Sequence, residues 1–122
     1  MNVRESGNPP TPLNAADEIL GPTLARGRGD DVAILFGDIQ ITFNELNADV
    51  NRFGSAFRPY LAKGDRALLL LKDSPAFIAA HLGIMRGGAV PVALSTRSTA
   101  NELAFVIEDS GAKVLLIDDE FL

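Results

Sequence analysis

The sequence predicts an α/β fold: a Rossmann-like, three-layer parallel sheet of βαβαβ type, preceded by a β-hairpin and a helix. Three observations carry this. Apolar runs of strand length near residues 66–71, 89–94 and 113–117 alternate with segments of helical pattern. Helical crossovers between buried strands imply parallel pairing with right-handed connections. Upstream, Gly37-Asp38 separates two short β-type segments, as a tight hairpin requires. The chain has 122 residues, 47% hydrophobic and 22% charged, enough for one compact core rather than a disordered chain.

Residues 1–13 read as a Pro-rich tail expected to be disordered, because Asn8-Pro9-Pro10-Thr11-Pro12 lacks the N–H groups that helices and central strands use. Residues 14–122 form the folded part. Asn14 caps a short helix through about Leu24, with Asp17 near its positive end and an apolar stripe of Ala15, Ala16, Ile19 and Leu20. Residues 26–31 are a polar, glycine-broken link. The hairpin arms are Ala33–Phe36 and Ile39–Thr42, and glycine at 37 can take the positive φ of a primed turn.

Thr42-Phe43-Asn44-Glu45 is a capping box opening a helix. Its apolar positions Phe43, Leu46, Val50, Phe53, Phe57 and Leu61 step by three and four, so the helix is expected to run to Lys63-Gly64. Arg66 to Leu71 is apolar after its first residue, as a strand buried on both faces should be. Ser74 and Pro75 open a largely apolar helix that ends at Gly87-Gly88. Ala89 to Leu94 is the next strand despite Pro91. Thr99-Ala100-Asn101-Glu102 is a second capping box, opening a helix expected to turn Leu103, Val106 and Ile107 inward. Lys113–Ile117 is the last strand.

Charge and composition exclude several classes. Eleven Lys and Arg against 16 Asp and Glu give a net charge of -5, which argues against nucleic acid or an acidic membrane surface as partner. With no cysteine and one histidine there is no disulfide framework, thiol nucleophile, Cys-ligated zinc or multi-histidine metal site. Met1–Ser6 lacks a signal-type apolar stretch, and the window Ala76–Met85 is roughly half a membrane span, so a cytoplasmic location is expected.

In a parallel sheet ligands sit beyond the carboxyl ends of the strands. Those ends carry Lys72-Asp73-Ser74, Ser95-Thr96-Arg97-Ser98 and Asp118-Asp119-Glu120. Gly27-Arg28-Gly29 precedes a strand and lacks a third glycine, so it reads as a flexible link rather than a dinucleotide loop. The acidic run at 118–120 has the composition of a phosphorelay receiver's pocket but stands after the wrong strand; a solvated strand end fits it better. Ser74 and His81 lie about 10 Å apart by helical rise, too far for a nucleophile relay. Ser74 reads as a cap and His81 as a packing residue. Arg97, flanked by hydroxyl residues at a strand end, has the chemistry to clamp a phosphate bidentately; an exposed loop arginine is the alternative.

Taken together, these segments resemble the adenylate-forming superfamily of AMP-binding enzymes, which includes acyl- and aryl-CoA synthetases. Ile41-Thr42-Phe43-Asn44-Glu45-Leu46 is similar to the family's first core motif, and Gly83-Ile84-Met85-Arg86-Gly87-Gly88-Ala89-Val90-Pro91-Val92-Ala93-Leu94 to its second. Gly64-Asp65-Arg66, Lys72-Asp73-Ser74-Pro75 and Ser110–Leu115 fit the stretches around them, and the opening Asn14-Ala15-Ala16-Asp17 is most like benzoate- and other aryl-CoA ligases. The resemblance implies that residues 14–122 are the first part of the N-terminal adenylation domain of an AMP-forming ligase. Such an enzyme converts a carboxylic acid, ATP and CoA to acyl-CoA, AMP and pyrophosphate, with Mg2+. The family's phosphate loop, nucleotide motifs and C-terminal lysine are expected downstream of this segment, which is therefore expected to be a fragment or truncated form, inactive alone. The resemblance implies no catalytic residue here and one binding residue: Arg97, placed where an arginine can lie near the CoA phosphate, with Ser95 where asparagine is common. The expected partner is the rest of the ligase domain, or a second copy. The alternative is a small non-catalytic interaction protein derived from such a ligase.

Overall fold

The computed structural model describes residues 14–122; the tail expected over residues 1–13 lies outside the described residues. The elements are α1 (Ala15–Ala25), β1 (Val32–Phe36), β2 (Ile39–Thr42), α2 (Phe43–Phe57), β3 (Arg66–Leu70), α3 (Pro75–Arg86), β4 (Val90–Ala93), α4 (Ala100–Ser110) and β5 (Val114–Ile117), followed by a 3-10 turn at Asp119–Phe121. The hairpin forms around Gly37, whose φ of 59° is the left-handed conformation the turn needs. Both capping boxes close: the Thr42 and Thr99 hydroxyls accept from the Glu45 and Glu102 amides, and each glutamate accepts from its threonine's amide.

The three-stranded sheet has the order β4-β3-β5, with both pairings parallel. Since β4 and β5 flank β3, the two crossovers run in opposite directions, and right-handed connections place α3 and α4 on opposite faces. Ala67 and Leu69 of β3 pack on the α3 side with Ile84, Ala89, Phe57 and Leu61. The alternating residues Leu68 and Leu70 are equally buried on the other face. Pro91 is accommodated because β4 lies at an edge. A second core joins Ala16 and Leu20 of α1, Leu46 and Val50 of α2, and Ala79 and Leu82 of α3, with the hairpin's Ala33, Ile34 and Ile41 against it.

Helices α2 and α3 pack unusually closely. A Cβ on Gly83 would stand 2.8 Å from the Val50 carbonyl oxygen and 2.9 Å from Phe53 Cβ, and one on Gly54 would stand 3.2 Å from the Gly83 carbonyl oxygen. Polar bonds lock the corner beside this contact. Asn14 caps α1 through Oδ1 while its Nδ2 donates to the Met85 and Arg86 carbonyls, 3.0 Å each, at the far end of α3. The Arg86 guanidinium donates to Asp17 of α1 at 3.1 Å and to Asn47 and Asn51 of α2 at 2.9 and 2.7 Å.

Several expectations need correction. Helix α2 stops at Phe57, not near Lys63, because Pro59 has no N–H to continue the ladder and its ring crowds the preceding turn. The chain turns instead, with the Tyr60 and Leu61 amides both donating to the Phe57 carbonyl, and Leu61 still reaches the core. Ile107 is 41% exposed rather than inward, and α4 has no fully buried residue. In α1, Ala16 and Leu20 are buried, whereas Ala15 and Ile19 face outward. The glycine link is not free: the Gly29 carbonyl accepts from the Asn44 amide at 2.9 Å, and Gly29 is buried against the Asn44 side chain.

The helix contact makes a direct prediction. Gly83→Ala should cost about 1–3 kcal/mol in urea unfolding, the overpacking cost outweighing the gain in helix propensity. Gly87→Ala, where an added Cβ meets only ordinary contacts at 3.6 and 3.8 Å, should instead change stability by less than about 1 kcal/mol. Equal effects at the two glycines would contradict the close approach.

Candidate functional site

The chain leaves β3 toward α3 on one face and leaves β4 toward α4 on the other, so a crevice opens between these two strands at their carboxyl ends. A cavity of about 340 Å³ lies there, within the lower range of small-molecule sites. Leu71, Lys72, Asp73 and Phe77 form the β3 side, and Leu94, Ser95 and Thr96 form the β4 side. A wider hollow of about 460 Å³ touches only Phe105, Glu108 and Asp109 of α4; with one helix face as its wall, it holds no convergent groups.

Each wall is shaped by local hydrogen bonds. The Ser74 Oγ accepts from the Phe77 amide at 3.2 Å, which fixes the start of α3. On the other side Ser95 Oγ accepts from the Arg97 amide at 3.2 Å, and the Ser95 carbonyl accepts from the Ser98 amide at 3.1 Å. This turn leads directly into the Thr99 cap of α4. Arg97 stands one residue beyond the lining, exposed, and its guanidinium makes no hydrogen bond or ion pair among the described residues. The lysine at the β3 end is tied to the third strand: its amide donates to Asp118 Oδ2 at 2.7 Å, and Nζ pairs with Glu120 at 3.4 Å.

Among the described residues, three titrating groups are shifted. The Thr42 amide, then the Thr42 hydroxyl, hold the Glu45 carboxyl below the usual range, and Thr99 does the same for Glu102. Burial lowers the His81 pKa, since its ring packs against Phe77 with centroids 6.0 Å apart. The structure therefore keeps Ser74 as a cap and His81 in packing. Among the described residues no group of three or more His, Asp or Glu side chains is placed to hold a metal ion. No described helix is long and apolar enough to cross a membrane.

Sequence reasoning located both walls of the crevice but missed the Asp118–Lys72 link and the Arg86 cluster. Both are polar pairings between distant segments without a sequence period. The two resembled motifs act here as scaffold. The first opens α2; the second supplies Gly83 at the helix contact, Arg86 at the polar corner and Gly88, whose φ of 87° turns the chain toward β4.

A parallel sheet with helices on both faces and a crevice at its switch point is the architecture of nucleotide- and coenzyme-binding α/β enzymes. Within that class the assignment is specific: residues 23–121 match the family described as AMP-binding enzyme, and the chain belongs to it. It is 47% identical over 121 residues to the 3-hydroxybenzoate–CoA/4-hydroxybenzoate–CoA ligase of Thauera aromatica, a match spanning 98% of this chain and 23% of that enzyme. The crystal structure of the anthranilate CoA ligase AuaEII in complex with anthranoyl-AMP superposes with a TM-score of 0.86 at 28% identity, over 99% of this chain and 23% of that one. The N-terminal subdomain of Klebsiella oxytoca NpsA matches with a TM-score of 0.77 at 28% identity, over 88% of this chain and 28% of that one. The chain thus spans about a quarter of the length of these three proteins, and corresponds to the N-terminal part of aryl-CoA ligases.

The His81 environment sets a pH dependence. Its folded pKa lies below the ordinary value of about 6.5, so the unfolded chain takes up the proton first as pH falls. The stability it contributes is complete above about pH 6.5 and declines as pH drops below that value. Urea unfolding measured from pH 7 to pH 5 should show this decline, and His81→Gln should remove that part of it. An unchanged slope in the variant would refute the assignment.

Proposed function

We propose that this chain serves as the opening section of the N-terminal domain of an AMP-forming aryl-CoA ligase, acting on a benzoate or hydroxybenzoate. The observation that carries the reading is the 47% identity, along 98% of the chain, to a hydroxybenzoate–CoA ligase. The reaction joins ATP and the aryl acid to an acyl-adenylate with release of pyrophosphate, and CoA then displaces AMP. In this reading the segment supplies scaffold and the two walls of the crevice by which CoA approaches. It supplies neither the groups that stabilise charge on the transferring adenylyl group nor a metal ligand, and no metal step is assigned to it. Arg97, at the mouth of the crevice with an uncommitted guanidinium, holds a CoA phosphate by bidentate hydrogen bonds.

The same reading assigns the exposed apolar residues. Val32, Leu35, Phe36 and Ile39 on the hairpin and Phe105 and Ile107 on α4 are all exposed, and apolar side chains grouped in this way mark a surface that another part covers. The remainder of the ligase domain covers them, and in the isolated chain they favour self-association. A cytoplasmic location belongs to the same proposal, since the reaction draws on ATP and CoA.

The test has two parts. The 122-residue chain alone should not support acid-dependent exchange of pyrophosphate into ATP. A hybrid in which it replaces the matching quarter of the Thauera aromatica ligase should form 3- or 4-hydroxybenzoyl-CoA. In that hybrid Arg97→Ala should raise the KM for CoA about ten- to hundredfold, the scale of a lost bidentate pair of charge-assisted hydrogen bonds, and leave pyrophosphate exchange unchanged. Exchange by the chain alone, or a folded hybrid without ligase activity, would sink the proposal.

A further inference from the structure

The inference concerns Asp118 and rests on the ligase reading. In a regular parallel ladder the Lys72 amide would donate to the Asp118 main-chain carbonyl, because the Asp118 amide already donates to Leu70 at 3.1 Å. The main chain instead bends away after β5 into the 3-10 turn at Asp119–Phe121. The Asp118 side chain takes over the missing role, Oδ2 accepting from the Lys72 amide at 2.7 Å. One carboxylate therefore extends the β3–β5 ladder by a step after the backbone has left it.

The segment so held is the β3 wall of the crevice: Lys72 and Asp73 line it, and Ser74 fixes the first turn of α3, from which Phe77 completes it. Glu120, from the same turn, pairs with Lys72 Nζ, but both groups are half-exposed and that pair contributes little by itself. The bond from the Lys72 amide to the Asp118 carboxylate is the shorter constraint, 2.7 Å against 3.4 Å. Without it, nothing else among the described contacts fixes the Lys72 amide.

We propose that Asp118 is a positioning residue for CoA: it holds the Lys72–Asp73 wall in place opposite the Leu94–Thr96 wall, so that the crevice between them fits the phosphate-bearing substrate. Asp118 touches no substrate and acts only through Lys72. Its contribution falls on the CoA step and not on adenylate formation.

The test uses Asp118→Ala and Asp118→Asn, in the full 122-residue chain and in the ligase hybrid. Asparagine keeps an oxygen that can accept from the Lys72 amide; alanine does not. In the chain, amide hydrogen exchange should show Lys72 losing protection in Asp118→Ala and keeping it in Asp118→Asn, with the core amides of β3 unchanged in both. In the hybrid, Asp118→Ala should raise the KM for CoA about three- to tenfold, the range of one hydrogen bond, with pyrophosphate exchange within twofold of the parent. Asp118→Asn should restore the parent KM. The positioning role is overturned if Asp118→Ala leaves the KM for CoA unaltered in an active hybrid, if all kinetic constants fall together, or if Asp118→Asn behaves like alanine. A parent hybrid without ligase activity would instead overturn the ligase reading, while the exchange result on the chain would still decide whether Asp118 holds the wall.

Discussion

The close approach of α2 to α3 through Gly54 and Gly83 is the constraint on which the rest of the structure depends. Backbone meets backbone there, with no side chain between. That closeness lets one face of α2 serve two cores, Leu46 and Val50 in the first and Phe57 in the second. It also sets how deeply α3 sits on the sheet, because Ile84 and Phe77 pack on Ala67 and Leu69 from the same helix. The N-terminus of α3 is a wall of the crevice. A methyl group at the contact would therefore be felt at the other end of the helix, in the shape of the candidate site.

The polar corner around Arg86 answers a second requirement of the same geometry. Helices this close leave the last carbonyls of α3 near α1, where Asn14 satisfies two of them. Arg86 then spans the join, with three partners from two helices and a side chain only 21% exposed. A lysine would offer one point of charge where the guanidinium offers a fork, so the corner needs the arginine's shape as much as its charge.

What was legible in the sequence was local. Capping boxes, the hairpin turn and the Ser74-Pro75 start are decided within four residues, and all formed where the pattern placed them. The strand order's consequence for the crevice followed from a general property of parallel sheets, so both walls could be named from sequence. Errors arose where a period outlasts its cause. Phe57 and Leu61 keep helical spacing across Pro59, so the apolar step continued after the helix could not. At Ile107 the pattern marks an apolar face, but spacing carries no information on whether another element covers it. Long-range polar partners were illegible for a similar reason: Asp118 and Lys72 lie 46 residues apart, and neither residue type announces the other. Gly29 reads as a break in a linker because the Asn44 side chain that crowds it is not adjacent in sequence.

The strand order has a consequence during synthesis. β3 is the central strand yet the first of its sheet to be made, and it is the most deeply buried of the three. One edge can pair once β4 follows. The other must wait for β5, and 47 residues separate Leu70 from its partner Ile117. At translation rates of about 5–20 residues per second, that edge stays open for roughly 2–10 s. Through that interval a leucine-rich strand presents unpaired amides and carbonyls on the ribosome. The nascent chain therefore passes through a state in which the later centre of its sheet is, for some seconds, an exposed rim.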